Sequence, residues 1–176
     1  MAPLLDLANH SVPPNATYTF DSDRNELVIE AFCPISAGEQ IFISYGHLKG
    51  DHELMSIYGF CMPPMVNPNT RVLISPVELL KVNGDLPKSS WLTPGADNLV
   101  KYSLSLKEVS DHLIYAVDCI AEQAQTTFAD IWSQVLSYKI ERLETTISSV
   151  MKDQVLWLYK NEVAVLKYYI DNIPSQ

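Results

Sequence analysis

After Pro94 the chain runs to Pro174 without a proline, and within that span apolar residues return at helical spacing. Proline removes a backbone donor and clashes with the preceding turn, so a long proline-free stretch with a 3.6-residue rhythm leaves packed helices as the main solution. Val109, Leu113, Val117, Ile120 and Ala124 line one face of a first helix. Phe128, Ile131, Trp132, Val135, Ile140 and Leu143 line a second, and Thr127 with Asp130 three positions on marks its start. A third helix is expected from about Asp153 to Asn172.

The first sixty residues read differently. Residues 16–20 and 26–32 are rich in β-branched and aromatic types and flank Asp21-Ser22-Asp23-Arg24-Asn25, a turn composition, so a hairpin is expected. Ser36-Ala37-Gly38-Glu39 supplies another turn, and residues 40–45 a third extended run ending at Gly46. From Asp51, Leu54, Ile57 and Tyr58 recur at helical spacing until Gly59 stops them. Residues 61–70 hold three prolines and are expected to be a surface connector and domain boundary. Beyond it, residues 71–75 suggest a short strand and 77–80 a turn of helix, before a Pro/Gly/Ser-rich passage over 83–98.

A chain of 176 residues, 47% hydrophobic, has the apolar content of one domain or two small ones. Its net charge of −9 repels nucleic acid and anionic membranes on average and favours a basic protein or peptide as partner. No apolar run approaches the ~18 residues of a membrane span, and the start lacks the pattern of a signal peptide. Cys33, Cys61 and Cys119 are widely spaced and fit neither a disulfide framework nor a zinc pattern; no metal site is expected, and reduced thiols imply an intracellular setting. Cytoplasm, nucleus and plastid are not distinguished. The sequon Asn15-Ala16-Thr17 is too frequent by chance to carry weight.

Three motifs occur in order: Asp6-Leu7-Ala8-Asn9-His10-Ser11, then Ser36-Ala37-Gly38-Glu39-Gln40 running into Ile43-Ser44-Tyr45-Gly46, then Tyr58-Gly59-Phe60. Together they resemble the C-terminal half of a SET-domain protein methyltransferase. The helical tail, with no cysteine-rich segment after the third motif, makes the chain similar to the class of Rubisco large-subunit methyltransferase. That resemblance implies an α+β fold: a β-rich half SET domain over 1–60, a linker over 61–70, and an all-α helical substrate-binding domain over 71–176. In the family a Gly-rich cofactor loop and a channel-shaping insert precede the first motif, so the expectation is a chain truncated at its N-terminus. An isolated half would leave strand edges and an apolar face open to association.

The resemblance further implies S-adenosylmethionine as cofactor, Tyr45 as the catalytic residue, and Asp6, Asn9, His10, Tyr58 and Phe60 as cofactor-binding residues, with Phe60 near the adenine. The substrate would be a protein side chain, lysine or histidine. The residue types suit the chemistry. Methyl transfer is an in-line substitution, so the protein must hold donor and acceptor about 3 Å apart and keep the amine neutral. A tyrosine hydroxyl can accept a weak C–H···O contact from a polarised methyl, and an asparagine amide offers the donor and acceptor that a zwitterion requires. The chain departs from its relatives at Gly50-Asp51-His52-Glu53, where they commonly show Ser-Asn before the Glu; Asp51 is expected to cap the helix there. A non-enzymatic interaction module with a degenerate SET remnant is the alternative reading, since a scaffold can outlive its chemistry.

Overall fold

The computed structural model describes residues 4–84, 102–149 and 153–174, and most of the Pro/Gly/Ser-rich passage over 83–98 lies outside them. The chain packs as two compact units, Met1–Lys49 and Gly50–Gln176.

In the first unit a 3-10 turn over Leu5–Leu7 leads into β1 (Asn9–His10). The expected hairpin is β2 (Ala16–Asp21) against β3 (Glu26–Ala31), antiparallel with Ala16 opposite Ala31 and Asp21 opposite Glu26. Its turn is built by Asp21, whose carboxylate accepts the N–H groups of Asp23 and Arg24, and by Asn25 in the left-handed region. Alternation then places Ala16, Tyr18, Phe20, Leu27 and Ile29 on one face of the hairpin. The run expected over 40–45 forms a strand only at β4 (Phe42–Ile43), which pairs in parallel with β1. On the other edge of β4, backbone groups of Gln40 and Phe42 bond the Asn15 side chain. Ala8, Ala16 and Ile43 form the buried apolar cluster, with Leu5, Ile29 and Tyr45 packed on it.

The second unit is mainly helical. It holds α1 (Asp51–Tyr58), β5 (Val72–Leu73), α2 (Pro76–Asn83), β6 (Ser103–Leu104), α3 (Asp111–Ala124), α4 (Phe128–Ile147) and α5 (Asp153–Asp171). The region expected to be all-α therefore carries a two-stranded ladder, β5 antiparallel to β6; Val72, Ser103 and Leu104 of the ladder are buried, and Ile74 continues it by donating its N–H to the Tyr102 carbonyl. α2 starts at Ser75, which accepts the Glu78 N–H while the Glu78 carboxylate takes the Ser75 N–H at 2.6 Å. α3 and α4 begin on Ser110 and Thr127, each accepting the N–H three residues on. Among the described residues the core runs from Val72 through Leu113, Val117, Trp132 and Leu136 to Leu166 and Tyr169.

Asp51 does not cap α1. The N-cap is Gly50, whose N–H is taken by the Glu53 carboxylate at 2.8 Å. A side chain at residue 50 would bring its Cβ within 2.7 Å of the Asn69 carbonyl, so only glycine fits. Asp51 instead turns inward, fully buried, and accepts bonds from the Met62 N–H, the Asn67 amide, the Thr70 hydroxyl and the Asn161 amide. Four donors satisfy a carboxylate that burial would otherwise penalise. The proline-rich residues 61–70 thus lie inside the second unit, with Asn67 and Thr70 buried. Among the described residues no helix is long and apolar enough to cross a membrane.

Candidate active site

The parallel pairing of β1 with β4 sets Asn9 beside Phe42 and His10 beside Ile43, which brings the first and second sequence motifs together. Two residues past β4, Tyr45 is fixed at both ends. Its backbone N–H donates to His10 Nδ1 at 3.1 Å, and its hydroxyl donates to the Ala8 carbonyl at 2.8 Å. The two rings lie 5.4 Å apart, tilted by 36°. Because Nδ1 accepts a backbone N–H, the imidazole is the neutral form protonated at Nε2, and it is buried. A hydroxyl whose proton is committed to a carbonyl offers only acceptor capacity to anything else.

Asn9 is exposed, and its amide donates to Gln40 Oε1 at 3.1 Å. That bond leaves the pair an acceptor on Asn9 and a donor on Gln40. Both line an open cleft of ≈ 390 Å³ whose walls are Leu4, Leu7, Ala8, Ile29 and Ile41. Asp6 sits on the 3-10 turn with its side chain exposed.

Of the residues expected to form the site, the structure brings His10 and Tyr45 into contact in the first unit, while Asn9, the neighbour of His10 on β1, turns its amide to Gln40. Tyr58 and Phe60 belong to the second unit, where their rings pair at 6.3 Å across Gly59, whose φ of +79° ends α1. Phe60 lines a groove of ≈ 250 Å³ with Cys61, Pro63 and Trp157, and Lys160 lies 5.8 Å over the Trp157 ring. Burial, with the negative charge of Asp51, pushes the Cys61 thiol up to about 12, so it is not a thiolate nucleophile. Among the described residues no cluster of His, Cys, Asp and Glu could hold a metal ion.

Sequence reasoning missed Gln40 and Asn15. Gln40 lies in the turn motif itself, but its partner Asn9 is thirty-one positions away, and no local pattern announces the pair. Asn15 was hidden in a sequon; its Nδ2, the atom a glycan would need, donates to the Gln40 carbonyl at 2.9 Å.

Residues 1–46 match the SET domain family. Two proteins of Schizosaccharomyces pombe are also similar to parts of the chain. SET domain-containing protein 8 is 36% identical over 73 residues, which cover 42% of this chain and 17% of that protein. Ribosomal lysine N-methyltransferase set11 is 36% identical over 72 residues, covering 41% of this chain and 18% of the relative. The chain thus spans less than a fifth of the length of these curated relatives. Its fold is mixed α and β, with SET-domain sequence at the N-terminus and helices toward the C-terminus.

Proposed function

We propose that this chain is a segment of an S-adenosylmethionine-dependent protein-lysine methyltransferase, with Tyr45 at the reacting methyl and Asn9 and His10 on the cofactor side. One observation carries the reading: the β1–β4 pairing puts the asparagine-bearing motif and the tyrosine-bearing motif on one short parallel ladder. When bound, the cofactor supplies an electrophilic methyl group. The chain's residues suit such a molecule. The Asn9–Gln40 amides offer a donor and an acceptor toward an amino-acid zwitterion, and the adjoining cleft is walled by apolar side chains. Tyr45, its proton held by the Ala8 carbonyl, presents oxygen as an acceptor, which suits a polarised C–H. Asp6, Tyr58 and Phe60 are proposed as further cofactor-binding residues on the motif resemblance alone, Phe60 for the adenine.

The domain plan proposed is a half SET domain over 1–60, a linker over 61–70 and a helical substrate-binding region over 71–176, as in the Rubisco large-subunit methyltransferase class. Lysine is favoured over histidine as acceptor because one relative is, by its name, a ribosomal lysine N-methyltransferase. The partner is then a protein substrate, and the net charge of −9 suits a basic one.

A second reading is a non-enzymatic interaction module. The small apolar cluster of the first unit beside the large one of the second favours it, since a folding platform needs no working pocket. Titration calorimetry with S-adenosylmethionine separates the two. Micromolar binding lost on Asn9→Ala supports the enzyme reading; absence of heat from the wild-type chain supports the module.

A further inference from the structure

We propose that Asn15 is the positioning residue of the Asn9–His10–Tyr45 site, holding β4 from the edge opposite β1 so that both arms of the site stay in register. Successive strand residues send their backbone groups to opposite edges. Ile43 faces β1, its carbonyl taking the Ser11 N–H at 3.2 Å. Phe42 faces Asn15, which satisfies it twice: Asn15 Oδ1 accepts the Phe42 N–H at 2.7 Å, and the Asn15 N–H donates to the Phe42 carbonyl at 3.2 Å. The remaining amide group, Asn15 Nδ2, donates to the Gln40 carbonyl at 2.9 Å. Asn15 also accepts the Phe32 N–H at its own carbonyl at 2.8 Å, which ties β4 to the end of the hairpin.

The consequence lies on both sides of the site. Gln40, held through its backbone, receives the Asn9 amide with its side chain. Phe42, held through both backbone groups, sets where the chain delivers Tyr45 N–H to His10 Nδ1 three residues later. A two-residue strand has too few ladder bonds to fix its own register, and an asparagine side chain copies a peptide group with one donor and one acceptor. Aspartate could copy only the acceptor half, and alanine neither.

The part of this proposal that concerns affinity rests on the methyl-donor reading; the part that concerns geometry does not. The test uses the whole chain, with Asn15→Ala and Asn15→Asp, and reads the native-state His10 imidazole by 15N NMR at a pH where it is neutral, alongside calorimetry with S-adenosylmethionine. Wild type should show one Nε2–H tautomer. Asn15→Ala should give a mixture and weaken S-adenosylmethionine binding at least tenfold, with Asn15→Asp in between and helical circular dichroism unchanged. A general loss of stability would not alter the tautomer of the folded state. If the wild-type chain binds no S-adenosylmethionine but the tautomer still responds to both variants, the positioning role stands and the donor reading falls. Should Asn15→Ala fail to fold in the first unit, Asn15→Asp decides alone. A wild-type His10 signature in the variants overturns the proposal whatever the affinity.

Discussion

The two units hold their shape by different means. In Gly50–Gln176 apolar faces of α2 to α5 close over Trp132, Leu136 and Leu166, each fully buried. In Met1–Lys49 the buried apolar cluster is Ala8, Ala16 and Ile43, and what fixes the backbone is polar: Asn15 on β4, His10 on the Tyr45 N–H, the Tyr45 hydroxyl on Ala8. A hydrogen bond contributes only about 0.5–1.5 kcal/mol net, but it demands one geometry, whereas apolar burial contributes more and tolerates slack. The candidate chemistry therefore sits in the unit that is specified more than it is stabilised.

Truncating each core is the strongest way to break that contrast. Trp132→Ala removes a ring that stacks on Phe128 at 5.6 Å and donates its Nε1–H to the Tyr169 carbonyl, and should cost about 3–5 kcal/mol in urea unfolding followed by circular dichroism. Ile43→Ala, in a small cluster beside an exposed hairpin, should cost about 2 kcal/mol, read by hydrogen exchange at β1 and β4. Equal costs would mean that the first unit depends on burial as the second does, and the contrast would fail.

How much the sequence revealed follows the same division. Helical periodicity reports burial directly, so Leu113, Val117, Ile131, Trp132, Val135 and Leu143 fall on the buried side of α3 and α4 as their spacing requires. The hairpin was legible through its turn composition, and α4 through Thr127, whose hydroxyl accepts the Asp130 N–H at 3.1 Å. Polar partnerships across long separations carried no local signal. Asp51 looked like a cap because short carboxylates at helix starts usually are; its buried partners Asn67, Thr70 and Asn161 lie 16, 19 and 110 positions away. Asn15 was overlooked for the same reason, its bonds running 25 and 27 positions ahead. The approach of His10 to Tyr45 was expected only through the SET-family resemblance, and the parallel pairing of β1 with β4 supplies its physical cause.

Tyr45→Phe sharpens the contrast within the first unit. The ring keeps its place near His10, while the Ala8 carbonyl loses a 2.8 Å donor in a partly buried setting. The expected stability loss is about 0.5–1.5 kcal/mol. Any methyl transfer the chain supports should fall more than tenfold, which corresponds to about 1.4 kcal/mol of transition-state stabilisation. A stability loss with transfer unchanged would make the hydroxyl purely structural.

The smallest expected effect lies in the second unit and is polar, which makes it the finest test of the contrast. His52 on α1 and Glu162 on α5 meet at 2.7 Å, next to the buried Asp51–Asn161 bond. The hydrogen bond to Glu162 raises the His52 pKa above its ordinary 6.5; burial pulls the other way, the charges of Glu162 and Asp51 raise it further, and Lys139 lowers it. Since the folded pKa exceeds the unfolded one, the protonated pair stabilises the fold fully below about 6.5, and that contribution is lost as pH rises through the folded value. Half of the His52 side chain is exposed, so solvent screening limits the effect to about 0.2–1 kcal/mol. Urea midpoints measured from pH 5.5 to 8.5 should fall with rising pH in wild type more than in His52→Gln, which cannot charge, and an NMR titration of His52 should show its pKa drop on Glu162→Gln. Parallel midpoints in the two proteins would mean that the His52–Glu162 pair adds nothing to the stability of the second unit.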